Sequence, residues 1–137
     1  MHLKDINIFA TSQNIYILRI DFCFRIPILT NMPIQKAKFS IGDIVKHKHF
    51  EFRGVIYDVD FEFNNSEEWY QSIPKNVRPR KDQPFYHLLA ENDEITYEAY
   101  VSEQNLLTDD SDEPIKHPLI EEIFSGKKGS SYFKLSN

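Results

Sequence analysis

The stretch Phe39–Asp60, FSIGDIVKHKHFEFRGVIYDVD, constrains what this chain can fold into more than any other. Ile41, Ile44, Val45, Val55, Ile56, Tyr57 and Val59 are β-branched or aromatic, the types that suit a pleated, half-buried surface. They predict two strands joined by a short connection. Gly42-Asp43 precedes the first strand, where a residue without Cβ permits a bend or bulge. From Val55 the pattern alternates strictly. Val55, Tyr57, Val59 and Phe61 point one way, and Ile56, Asp58 and Asp60 the other. A period of two predicts one dry face and one mostly wet face.

The remaining segments read as strands that close against this pair. Phe85–Glu91 and Ile95–Ser102 are two more strands, with Asn92-Asp93-Glu94 as the turn between them. Asn65 or Ser66 is placed to cap one helical turn through Glu67–Gln71, which Trp69 and Tyr70 would anchor. Between Pro74 and Pro84 runs a long loop, which its prolines keep out of a central strand. Glu103–Leu107 is expected to complete the closure. Thr108–Pro114, TDDSDEP, has the composition of a flexible acidic linker. Pro118–Phe124 predicts a short helix ended by Gly126, with a frayed tail beyond. The expected organisation is a leader over residues 1–36, a small antiparallel β-barrel over 37–107, and linker, short helix and tail over 108–137.

A chain of 137 residues suffices for one domain with its own core. The apolar run Ile15–Leu29 is broken by Arg19, Asp21, Arg25 and Pro27, which disfavours a membrane span or a signal peptide. An extra strand, a disordered leader, or a native start at Met32 are the readings left for residues 1–31. The single cysteine, Cys23, is compatible with a reducing compartment.

Residues 37–107 resemble the HspQ family, also called YccV-like or hemimethylated-DNA-binding proteins. The resemblance is carried by Lys38-Phe39, Ile41-Gly42 and Val45-Lys46-His47, then Arg53-Gly54-Val55-Ile56 and Asp58-Val59-Asp60. Pro84-Phe85-Tyr86-His87, Thr96-Tyr97, Ala99-Tyr100-Val101 and Ser102–Leu106 complete it. It implies a mainly β, SH3-like antiparallel barrel, no catalysis and no cofactor, in a cytoplasmic protein of the heat-shock response. It also implies two activities: binding double-stranded hemimethylated DNA, and acting as an adaptor for the Lon protease and its clients. It leaves the oligomeric state open.

Charge is segregated along the chain. Lys46, Lys48 and Arg53 lie in the first strand pair, and Lys75, Arg78, Arg80 and Lys81 crowd the long loop, whereas Asp82–Ile115 holds no Lys or Arg. The seven cations make a candidate DNA-binding set, because Lys and Arg neutralise phosphates with counterion release. The competing reading is an ordinary solvated face, since the net charge of -5 is unlike that of most DNA-binding domains. His47, His49 and His87 invite a metal reading, but no ligand spacing supports a closed site, and no metal is expected. There is neither a nucleophile elbow nor a Gly-rich phosphate loop, so a non-enzymatic role is expected. Phe85, Tyr86, Tyr97, Tyr100 and Trp69 could stack on unpaired bases if exposed, but the aromatic residues are expected to fill the core, with Tyr86 and Tyr100 as the exposed exceptions.

Overall fold

The strand that begins at Arg53 is the middle of the sheet. In the computed structural model, which describes residues 36–135, β1 (Ile44–His47) pairs antiparallel with β2 (Arg53–Asp60). β2 pairs with β3 (Phe85–Glu91), and β3 with β4 (Thr96–Ser102). A 3₁₀ turn at Glu103–Asn105 then swings β5 (Leu106–Thr108) onto the free side of β1. The order is β4-β3-β2-β1-β5 in one five-stranded sheet, with β4 and β5 as its edges. The expected mainly β, antiparallel architecture is therefore present, but the strand pairings do not close into a barrel. The expectations for residues 1–31 and for Met32 lie outside the described residues, among which no helix is long and apolar enough to cross a membrane.

Local chemistry explains the connections. Ser66 caps helix α1 (Glu67–Ser72), its Oγ accepting from the Trp69 N–H at 3.1 Å. Asn92 Oδ1 accepts from the Glu94 and Ile95 N–H groups and so ties the β3–β4 turn.

The expected alternation along β2 holds only to Ile56. The β2–β3 register shifts between Ile56 and Asp58, leaving Tyr57 as an extra residue in β2. Such a bulge resets which face each later residue occupies. Val55 consequently packs with Ile44 and Leu89 on one face, while Ile56 and Val59 join Val45, Tyr86 and Leu88 on the other. Asp58 and Asp60, expected on a wet face, are buried. Tyr86 and Tyr100, expected to be exposed, are buried as well, because both faces of the sheet are covered. The Tyr86 hydroxyl donates to Glu103 at 2.6 Å and accepts from the Phe39 N–H at 3.1 Å.

The second face is covered by the C-terminal segment. Ile115, Phe124 and Tyr132 pack on Ile44, Val55 and Leu89. Where a helix was expected there is a single turn, α2 (Ile120–Ile123). Where a frayed tail was expected, β6 (Gly126–Lys128) pairs with β7 (Ser131–Phe133). The hairpin is moored to the sheet at Gly42, whose carbonyl accepts from the Tyr132 N–H at 2.7 Å. Gly42 has φ 97°, and a Cβ there would collide with the Tyr132 carbonyl, so glycine serves both the bend and the mooring.

The acidic stretch expected to be a flexible linker is held by Arg53. Its Nε donates to Asp109 at 2.6 Å, Nη1 to Glu91 and the Pro114 carbonyl, and Nη2 to Ser111 and the Glu113 carbonyl. All five guanidinium N–H donors are thereby used. Burial disfavours the Asp109 carboxylate, but hydrogen bonds from Ser111 and Arg53 hold its pKa below the ordinary value.

Two substitutions test this packing. A Cβ on Gly54 would sit 2.7 Å from the Leu89 carbonyl oxygen and 3.1 Å from Ala90 Cα, so Gly54→Val should destabilise by about 1–3 kcal/mol. An unchanged urea midpoint would show that the backbone approach is not limiting. Arg53→Gln strands Asp109 and releases the acidic strap, and should cost about 2 kcal/mol, less than a fully buried pair because the arginine is partly exposed. Faster amide exchange confined to residues 109–114 would accompany it; unaltered exchange there would contradict the clamp.

Candidate nucleic-acid interface

β1 and β2 are joined by a connection that folds around His47. Its Nδ1 accepts from the His49 N–H at 3.0 Å and the Phe50 N–H at 3.1 Å, and its ring packs on Phe50 and Phe52. Burial, with a smaller contribution from neighbouring His49, lowers the His47 pKa to about 4. The ring is neutral at pH 7, and with Nδ1 accepting, its proton resides on Nε2.

Across from this turn, α1 and the segment after it form a proline-braced wall. Arg78 organises that wall by donating to the carbonyls of Gln71 and Ile73 at the end of α1 and by lying over the Tyr70 ring, 5.3 Å from its centroid. Cations that bond the last carbonyls of a helix satisfy acceptors that have no partner within it. Lys81 pairs with Glu67 and sits 4.5 Å from the Tyr70 centroid, which ties the far end of the loop back to α1.

Between turn and wall lies a cavity of about 60 Å³. His47, His49 and Phe50 line one side, and Ile73, Pro74, Val77 and Pro79 the other. Trp69, Phe85 and Tyr100 supply aromatic surface, with Trp69 and Tyr100 edge to face at 5.4 Å. Ser102 also lines the cavity; it is 2% exposed, and its Oγ has no hydrogen-bond partner among the described residues.

The seven cations singled out in the sequence fall into two groups. Arg53, Arg78 and Lys81 are engaged in holding the fold together. Lys46, Lys48 and Lys75 are exposed and make no ion pair among the described residues, and Arg80 faces only the equally exposed Asp82 at 3.4 Å. These four flank the cavity in sequence. Lys46 and Lys48 bracket His47, Lys75 follows Pro74, and Arg80 follows Pro79. Sequence reading singled out Trp69, Phe85 and Tyr100 as aromatics able to stack on bases, and missed Ser102 and Val77 as cavity residues. The clue for the two sides was the recurrence of lysines beside apolar residues in two distant segments.

The three histidines do not converge. His47 and His49 meet edge to face at 5.9 Å, whereas His87 is buried with Asp58 and Asp60, their ligand atoms all within 4.8 Å of one another. This is the group among the described residues with spacing for a cation. His87 Nε2 is 2.8 Å from Asp60 Oδ2, an oxygen that also accepts from the Tyr100 hydroxyl at 3.1 Å.

The neutral state of His47 has a pH consequence. The unfolded chain takes up the proton first, near pH 6.5, so stability falls as pH drops from there towards about 4. Between pH 7 and 5 the loss should be about 1 kcal/mol, after discounting for the partly solvent-exposed ring. His47→Asn keeps an acceptor, Oδ1, for the two backbone N–H groups and should lose about that much less in urea unfolding at the two pH values. Equal acid losses in both proteins would show that His47 is not the group responsible.

Comparison with known proteins matches this architecture to a family. The family described as hemimethylated DNA-binding protein YccV like matches residues 37–131, which takes in the sheet, the cavity and most of the C-terminal hairpin. The chain is 33% identical to F-box only protein 21 of Pongo abelii and of Homo sapiens, and 32% identical to that of Mus musculus. Each match extends over 95 residues, 69% of this chain, and the chain spans 15% of the length of these curated relatives. No solved structure matches. The order of the strand motifs, the sheet they form and the match over residues 37–131 place the chain in the YccV-like family of hemimethylated DNA-binding proteins.

Proposed function

We propose that the protein binds double-stranded DNA, with preference for hemimethylated sites, through the face on which Lys46, Lys48, Lys75 and Arg80 flank the cavity, and that it does so without catalysis. The observation that carries this reading is that the β1–β2 turn and the Pro74–Pro79 segment line one cavity, so that the backbones of two basic stretches distant in sequence, around Lys46 and Lys48 and around Lys75 and Arg80, come close together. Family membership supports DNA as the partner. With a net charge of -5, attraction to DNA depends on local positive charge, because screening beyond ~10 Å removes the influence of the acidic remainder at moderate salt. Preference for a methyl on one strand requires apolar atoms at a base edge, and the cavity rim supplies them at Phe50 and Val77.

Docking to a protein partner, Lon protease or its clients, is the second reading. It is favoured by Ile41, Phe133 and Leu135, which are exposed apolar residues close in the structure's connectivity to the Gly42–Tyr132 mooring.

A salt titration against matched unmethylated, hemimethylated and fully methylated duplexes tests the first reading. Replacing Lys46, Lys48 and Lys75 with serine should flatten the slope of log affinity against log salt by roughly 2–3 units and weaken all duplexes alike. Thermal stability should barely change, since exposed unpaired charges contribute little. An unaltered slope would remove this face from the DNA surface. Absence of salt-dependent binding in the unsubstituted protein, with Lon stimulation retained by the triple variant, would favour docking.

A further inference from the structure

We infer that the tip of the β1–β2 hairpin reads methylation, entering the DNA major groove so that Phe50 meets the methyl group while His47 holds Phe50 in place. This rests on the DNA-binding reading above, and it assigns residues to the distinction of hemimethylated from unmethylated duplexes.

The position of the mark restricts what can read it. A methyl on adenine N6 or on cytosine C5 stands in the major groove, which admits an α-helix or a two-stranded β-ribbon. Among the described residues, both α-helices carry adjacent glutamates, Glu67-Glu68 in α1 and Glu121-Glu122 in α2, which phosphates repel. The β3–β4 ribbon ends in Asp93 and Glu94. The β6–β7 ribbon ends in Gly129 and Ser130, which offer no apolar side chain. The β1–β2 ribbon combines cations, Lys46 and Lys48, with an apolar side chain at its tip, Phe50.

Shape and exposure favour the same element. His47, His49 and Phe50 line the small cavity, and they also line a broad groove on their other side, together with Lys46 and Lys48. The tip is therefore a ridge between two concavities. Lys46, Lys48 and His49 are exposed and Phe50 is half-buried, so charge and apolar surface both reach solvent there. Asp93 and Glu94 line the far wall of the broad groove and repel phosphate, which leaves the lysine side of the ridge for the DNA backbone.

Discriminating one methyl group needs a side chain held in a fixed place, and His47 supplies this. Its N–H donates to the Phe52 carbonyl at 3.1 Å, and the Lys48 N–H donates to the Asn105 carbonyl at 2.9 Å. Its Nδ1 accepts from the N–H groups of His49 and Phe50, and its ring lies 4.7 Å from that of Phe50. Phe50 is thus fixed through both its backbone and its ring. His47 acts through Phe50 and is a positioning residue.

The full chain would be titrated with unmethylated and hemimethylated duplexes of one sequence, with the methyl on adenine N6 in one set and on cytosine C5 in another. The hemimethylated duplex of one set should bind about fourfold tighter than its unmethylated counterpart, the value of burying one methyl group. Bound protein should protect guanine N7, in the major groove, from dimethyl sulfate and leave adenine N3, in the minor groove, reactive. Phe50→Ala should bring the ratio of affinities close to one with the salt slope unchanged, and Phe50→Leu, which keeps an apolar end, should retain most of it. Phe50→Gln, nearer in size should the alanine variant melt early, should also bring the ratio close to one. His47→Ala should lower the ratio, and His47→Asn, which keeps an acceptor for the two N–H groups, should restore it. A ratio retained by Phe50→Ala or Phe50→Gln overturns Phe50 as the reader. A ratio retained by His47→Ala, or lost as fully in His47→Asn, overturns the positioning role. Protection of adenine N3 in place of guanine N7 overturns entry by the major groove. Ratios near one for both sets in the unsubstituted protein, with salt-dependent binding intact, overturn this inference and leave the DNA surface standing. No salt-dependent binding of any duplex overturns the DNA reading and this inference together.

Discussion

The extra residue at Tyr57 is the constraint on which the rest of the structure depends. A strand of uninterrupted alternation would commit Ile56 and Val59 to opposite faces. The register shift puts both into the cluster with Tyr86 and Leu88, while Val55 remains on the other side with Leu89. A sheet with apolar residues on both faces needs two covers. One comes from Phe39, Phe52 and Leu106, and the other from the C-terminal segment through Ile115, Phe124 and Tyr132. The same shift turns Asp58 and Asp60 inward beside His87. The aromatic floor of the cavity follows from this, because Tyr100 bonds Asp60 and stacks on Phe85, and Trp69 leans on Tyr100.

What could be read from the chain was what neighbours in sequence decide. Ser66 as a helix cap, Asn92 as a turn former and the β-branched runs of the strands depend on residues within a few positions of one another. The fate of Asp58 and Asp60 could not be read this way, because a bulge is settled by the partner strand and leaves no local mark in RGVIYDVD. Composition misled at Thr108–Pro114 for a related reason. An acidic run looks solvated until its counter-charge is known, and Arg53 lies more than fifty residues earlier in the chain.

The candidate site divides along the same line. Clustered cations were visible in the sequence, but their availability was not. Arg53 and Arg78 have long, planar, many-donor side chains, and the fold uses them to bridge backbone carbonyls that lack other donors. The lysines at 46, 48 and 75 are left for solvent and ligands. Of the seven cations, Arg53, Arg78 and Lys81 serve internal architecture and Lys46, Lys48, Lys75 and Arg80 the surface, which a count of positive charges does not distinguish.

The order in which the two covers are made has a consequence during synthesis. The first face of the sheet is closed by residues up to Leu106, so it can form while the chain is still emerging. Ile44, Val55 and Leu89 wait for Tyr132, and at translation rates of ~5–20 residues per second they stay bare for on the order of seconds. For that interval the nascent protein presents an apolar sheet face to the cell. A chain cut short within the acidic strap and released would keep that face uncovered for good, the form most prone to aggregation or capture by chaperones.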